Sequence, residues 1–259
     1  MRLKRHINES RPEPLDPDEA LKRVKEECSM SWNAYKKGHA IYRGTDTPQN
    51  NKAVYYPERK GRMSANTRNY YTLVIDNHPK WKGYPKRSDS YICSTSQDTA
   101  NQFGIPFVVF PKDGSNYGIA SSFDLWVSFE KTLDGYNGDL ADLNDSIEII
   151  IQDVFEWGEL PNPRTFGDLK KIFKSIDQEF KDLGSDITKD IIKEQPLLTG
   201  YKGDMLKLFQ QILDPDKNKF KQTKNPSKIP ENSNQEVWVD GAVYMIRENS
   251  IVLTTDDYK

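Results

Sequence analysis

Between residues 165 and 213 the apolar side chains recur at helical spacing, and on either side of that block they fall in short runs closed by Gly, Pro, Asn or Asp. Strands, then a helical block, then strands again is the order of an α+β fold. It lacks the strand–helix alternation of a doubly wound parallel sheet. The helical block carries its own punctuation. Thr165 is placed to cap a helix whose Leu169, Ile172, Phe173, Ile176, Phe180 and Leu183 form one stripe, with Gly184 as its stop. Asp204 is placed to cap a second helix, carrying Leu206, Phe209, Ile212 and Leu213 and ended by Pro215.

Upstream, Asp16 (N-cap), Pro17 and Glu19 (the capping-box position) open a helix. Leu21, Val24, Cys28, Trp32 and Tyr35 continue it to a stop at Gly38, behind a polar, Pro-rich arm over residues 1–15. Strands are predicted at 40–44, 88–93 and 106–110, with a short helix over 97–103. Residues 45–90 otherwise read as irregular around an apolar run at 70–75, and the pattern leaves 147–154 open between helix and strand. Strands are predicted again at 237–239, 243–246 and 251–253, after a polar, Lys-rich stretch without periodicity over 214–235. One domain over 1–259 is expected, with an N-terminal arm and helix (1–38), a helical insert (140–215) and a loop at 216–235.

Composition narrows the chemistry. At 36% hydrophobic and 29% charged, with 13 Tyr, 11 Phe and 5 Trp, the chain is polar yet equipped for a core. No apolar run approaches the roughly 18 residues of a membrane span, and the basic start at Arg2, Lys4 and Arg5 leads into no apolar stretch, so neither a span nor a secretory signal is expected. A cytoplasmic site of action, in a bacterial or host cell, is expected. The net charge of −2 gives no general footprint for nucleic acid, although a local basic patch is compatible with it. Cys28 and Cys93 cannot build a disulfide framework or a four-cysteine zinc site. His6, His39 and His78 are too scattered for a histidine metal site. Asp214, Asp216 and Asn218 mimic the opening of a calcium loop, but Lys219 and Asn225 stand where its Gly and Glu belong. No metal is expected. No Rossmann fingerprint, P-loop or zincin motif is present.

Three short pieces remain as candidate chemistry: Arg43-Gly44 at a strand end; Ser94, Thr95 and Ser96 at another; and Asn234, Gln235 and Glu236 opening the last strands. Singly, each has an ordinary reading as a surface arginine, a capped turn and a solvated carboxylate. Together, in this order, they resemble the Arg–Ser–Glu (cholera-toxin-like) class of mono-ADP-ribosyltransferases. The resemblance covers about residues 40–125 and 230–253, and not the N-terminal helix or the helical insert.

The resemblance implies a split β-sandwich around an NAD cleft, with NAD as substrate and no metal. It implies Arg43 as the clamp on the NAD diphosphate, Gly44 as a site of close backbone approach, and Ser94 as the orienter of Glu236. Thr95 and Ser96 support the strand end. Glu236 holds the ribose 2′-hydroxyl and offsets charge at the anomeric carbon. Arg62, Asn66 and the Lys86, Arg87, Ser88 segment are further candidates for NAD contact, and Phe103 or Tyr42 for stacking on nicotinamide, with core packing as the alternative for both rings. Asn234 stands where arginine-modifying members carry Glu. It is similar to the Gln of members that modify asparagine or guanine, and so points to acceptor selection.

The stretch before the motif carries Lys217, Lys219, Lys221, Lys224 and Lys228 around Phe220. It is read as a substrate loop suited to an acidic protein face or a nucleic acid, the aromatic stacking on a base. The size suits a bacterial toxin or phage protein, with an antitoxin as a conceivable partner. The rival readings are an NAD glycohydrolase and a non-catalytic binding or virion structural protein on the same scaffold.

Overall fold

The computed structural model describes residues 12–46, 51–63, 68–133, 140–158 and 161–258. The chain is α+β and divides into two compact units, one formed by residues 1–62, 83–124 and 220–259, the other by 63–82 and 125–219. The helical insert expected over 140–215 falls within the second unit, which also takes in the earlier segment.

The first unit holds an antiparallel sheet of nine strands: β1 (Glu13–Leu15), β2 (Tyr42–Thr45), β3 (Ala53–Tyr56), β4 (Tyr91–Ser94), β5 (Ile105–Pro111), β6 (Tyr117–Ile119), β7 (Lys221–Thr223), β8 (Glu236–Val239) and β9 (Val243–Ile246). Their spatial order is β1-β3-β9-β5-β2-β4-β8-β6-β7. Three strands separate β3 from β4, which in a flat sheet means about 19 Å at ~4.8 Å per strand. Yet the Tyr56 and Tyr91 rings meet at 5.7 Å. The sheet therefore coils over on itself. Val54, Phe107, Val109 and Met245 from one half and Cys93, Tyr117, Ile119 and Val237 from the other share one core inside the fold.

The helices are α1 (Pro17–Glu27), α2 (Ser29–Tyr35), α3 (Tyr70–Asn77), α4 (Gln97–Asn101), α5 (Glu130–Leu133), α6 (Leu140–Ile149), α7 (Phe166–Leu183), α8 (Ser185–Glu194) and α9 (Met205–Ile212). Ala20 and Val24 of α1, Trp32 of α2 and Cys28 between them cover Val108, Phe110, Tyr244 and Ile246 on the outer face of the sheet. The single helix expected from Asp16 to Gly38 breaks at Cys28. There Asp113 takes the N–H groups of Ser29 (3.1 Å) and Met30 (2.9 Å), so a carboxylate distant in sequence caps a second helix. Asp16 does cap α1, accepting from Asp18 and Glu19.

Part of the N-terminal arm is ordered as β1 against β3. The stretch read as irregular contains β3 and α3, and residues 147–154 are the end of α6 running into a π-turn, Ile150–Val154. Residues 251–253 form no strand.

In the second unit, Thr165 and Asp168 form a full capping box on α7, and Asp204 caps α9. The expected apolar stripe packs through Phe173, whose ring lies 4.8 Å from Phe209 and 5.7 Å from Tyr70. Gly184 ends α7 at φ +85°, and α8 follows it directly. No helix among the described residues is long and apolar enough to cross a membrane.

Gly44 shows how closely β2 meets α4: a Cβ there lies 2.0 Å from the Ala100 carbonyl oxygen and 2.9 Å from the Phe103 carbonyl carbon. Both neighbours are backbone and cannot swing away. Gly44→Ala is expected to lower the unfolding free energy by about 1–3 kcal/mol or more, read as a lower urea midpoint.

Candidate active site

The sheet has a seam. β2 pairs with β5 along its whole length, but with β4 only through Tyr42 opposite Ser94. At this seam the three candidate pieces lie on adjacent strands, β2, β4 and β8. Ser94 stands directly opposite Glu236 in the β4–β8 ladder, so the two side chains leave the same face, Ser94 4% and Glu236 7% exposed. Arg43 follows Tyr42 and so leaves the opposite face. Its Nη1 donates to the Ile92 carbonyl at 2.6 Å, and its guanidinium lies 5.9 Å from the Tyr91 ring centre.

Glu236 is fixed through its main chain and its carboxylate. Its N–H donates to Ser122 O, and its carbonyl accepts from Ala120 N–H, each at 2.9 Å. Arg87 Nη1 donates to Glu236 Oε1 at 2.6 Å in a buried ion pair. Arg87 is delivered by Trp238, two residues after Glu236 on the same face. The Trp238 indole N–H donates to Pro85 O at 2.9 Å, its ring stacks on Tyr84, and the Arg87 guanidinium lies 5.6 Å above it. Arg87 belongs to the Lys86, Arg87, Ser88 segment expected to contact NAD, but no local spacing ties it to Glu236.

The hydrogen bond expected from Ser94 to Glu236 is not formed. Ser94 Oγ instead accepts the Ser96 N–H at 3.0 Å, and Arg87 occupies the carboxylate. Thr95 and Ser96 do support the strand end. Thr95 exchanges two hydrogen bonds with Gln235, N–H to Gln235 O and Oγ1 from Gln235 N–H, each 2.9 Å. Ser96 Oγ caps α4 by accepting the Thr99 N–H. Gln235 also donates from Nε2 to Ala120 O, so the middle residue of the motif ties the end of β6 to the start of β8.

Asn234 is exposed at φ +49°, and its carboxamide oxygen accepts from Thr99 Oγ1 at 2.6 Å. The amide nitrogen is then the group it presents outward. Phe103 is 68% exposed beside Gly44, which removes its core-packing reading. Tyr42 packs with the helix-covered core and donates to Glu248, so it is not a free stacking surface. Gly44 uses its missing side chain to admit the backbone after α4.

The Arg62 N–H donates to Ser88 O, linking it to the segment that carries Arg87. Asn66 lies outside the described residues. Lys219, Lys221 and Lys224 are exposed, as are Lys217 and Lys228. Phe220 is buried and packs edge-on against Trp238, so it is unavailable to stack on a base. Much of the stretch is ordered, by β7 pairing with β6 and by a turn over Pro226–Lys228.

No group of three or more metal-ligating side chains occurs among the described residues. Burial pushes the Cys93 thiol up to about 12 and the Cys28 thiol upward as well. No protein-family model, curated protein or solved structure matches this chain.

Two outcomes follow from this geometry. Arg87→Met strands a buried carboxylate and is expected to cost about 3–5 kcal/mol of stability. Adding Glu236→Gln recovers part of that loss, measured by denaturant unfolding of the single and double variants. The raised thiol pKa values leave almost no thiolate at pH 8. Both cysteines should therefore resist a thiol reagent in the folded protein and react when the chain is unfolded.

Proposed function

We propose that this chain is an NAD-dependent mono-ADP-ribosyltransferase of the Arg–Ser–Glu class, moving ADP-ribose from NAD to a macromolecule with release of nicotinamide. One observation carries the reading. Three motifs separated by long stretches of sequence lie on the adjacent strands β2, β4 and β8, with Ser94 paired to Glu236. A sheet that coils over and parts between β2 and β4 is consistent with a split sandwich around a dinucleotide cleft.

The chemistry suits these groups. The C–N bond between ribose and nicotinamide breaks with both electrons leaving on nicotinamide. The anomeric carbon gains oxocarbenium character, and a nucleophile of the acceptor then bonds to it and gives up its proton. Glu236 is the charge that offsets the developing cation, an effect largest in the transition state. Arg87 holds that carboxylate in one orientation. Arg43, on the face opposite Glu236, meets the diphosphate across the open seam between β2 and β4, its planar fork suiting paired oxygens. Phe103 offers an exposed ring at the seam. Asn234, with its amide nitrogen outward, suits an acceptor carrying a carbonyl or a ring nitrogen.

Glu236→Gln is expected to keep NAD affinity while lowering turnover by about two orders of magnitude or more. Arg43→Ala mainly raises the Michaelis constant. Near-normal turnover in Glu236→Gln sinks the assignment. Nicotinamide release measured with and without cell lysate separates a transferase, which labels a target, from a glycohydrolase, which labels none. The absence of any NAD consumption in either condition favours the non-catalytic reading.

The acceptor is read from Asn234 and the exposed lysines as a macromolecule with an acidic face or a nucleic acid. Asn234→Ala should reduce transfer and spare NAD hydrolysis. Replacing Lys219, Lys221 and Lys224 by Gln should weaken transfer without lowering the melting temperature. Transfer should fall with added salt more steeply than hydrolysis does. Equal salt sensitivity of the two activities removes the electrostatic role.

A further inference from the structure

One row of side chains crosses the inner face of the sheet beside the seam. Arg43 is directly opposite Phe107. Arg247 follows Ile246, which pairs with Val108, so the same register sets Arg247 opposite Phe107 on its other side. Its guanidinium lies 5.5 Å from the Phe107 ring centre. The Arg247 N–H donates to Lys52 O at 2.9 Å, which makes Lys52 the next residue in the row. Antiparallel partners share a face, so three cations stand on one face around one buried aromatic. With two strand spacings between them, the Cα atoms of Arg43 and Arg247 are about 10 Å apart, within reach of two long side chains aimed at one ligand.

The charges are not compensated. Among the described residues neither Arg43, Arg247 nor Lys52 forms an ion pair. Arg247 is half-buried, and its Nε and Nη2 are shielded with no hydrogen-bond partner among the described residues. Shielded guanidinium N–H groups without acceptors are costly, and like charges in one row add to that cost. A bound oxyanion removes both penalties. Two forked donors call for an anion with two sets of oxygens.

We propose that Arg247 and Arg43 form a two-armed site for a diphosphate group, with Lys52 at its solvent edge. The site rests on the transferase reading only for its natural ligand, NAD. The charge row and the unpartnered Arg247 nitrogens stand without that reading.

The test is calorimetry with inorganic pyrophosphate, orthophosphate and NAD at fixed ionic strength, joined to thermal unfolding. Wild type should bind pyrophosphate about tenfold or more tighter than orthophosphate. Arg247→Met should weaken pyrophosphate binding by about tenfold or more, the loss of a charge-assisted contact. Arg247→Lys should lie between, and Lys52→Gln, at an exposed position, should weaken it a few-fold. Because Arg247 has shielded groups without partners, Arg247→Met should not lower the melting temperature without anion, yet should abolish the rise that pyrophosphate produces in wild type.

No pyrophosphate binding by wild type overturns the site. So does binding that Arg247→Met, or, if that variant does not fold, Arg247→Lys and Lys52→Gln, leave unchanged. Arg247-dependent pyrophosphate binding without NAD binding or cleavage supports the site and refutes the transferase reading. NAD cleavage that ignores Arg247 supports the transferase reading and overturns NAD as the ligand of this site.

Discussion

The ladder between β4 and β8 is the contact on which the candidate site depends. It joins Tyr91 to Val239 and Ser94 to Glu236, segments separated in sequence by most of the helical unit. Loop closure costs grow only logarithmically with length, so an inserted unit that folds on its own core adds little to the cost of this pairing. Once the ladder forms, register does the rest. A slip of one residue would send Glu236 to the inner core and Val237 to the site face. Gln235 and Thr95 guard against that slip, since their paired hydrogen bonds fit only one alignment.

The site face and the inner face handle charge differently. Glu236 is buried and matched by Arg87, with Trp238 holding the segment that delivers it. Such a pair is weak evidence for stability, because desolvation offsets most of the attraction. Its use is to fix one orientation of one carboxylate. Among the described residues Arg43, on β2, and Arg247, just after β9, form no ion pair, and both stand beside the buried Phe107. Half-buried cations without a paired carboxylate cost the fold stability.

Packing at the seam leaves no slack. Gly44 admits α4, and Gly118 admits the Trp238 ring, where a Cβ would lie 2.1 Å from a ring carbon. The first sets the distance of α4 from β2; the second sets that of Trp238 from β6, and so where Arg87 stands.

The sequence alone determined the α+β class, the caps of Asp16, Thr165 and Asp204, the apolar stripe of α7, and the strands around Arg43, Ser94 and Glu236. These follow from local dihedral preferences, capping chemistry and apolar period, all carried within a dozen residues. Only the tertiary structure decided what lies between distant segments. The first helix breaks at Cys28 with Asp113 capping the second half, and Arg87, not Ser94, holds Glu236. Phe220 turns inward, Phe103 turns outward, and Arg247 joins the row of Arg43. Each depends on which strand lies beside which, a choice made by burial and hydrogen bonding across the whole sheet, and no window of neighbouring residues contains it.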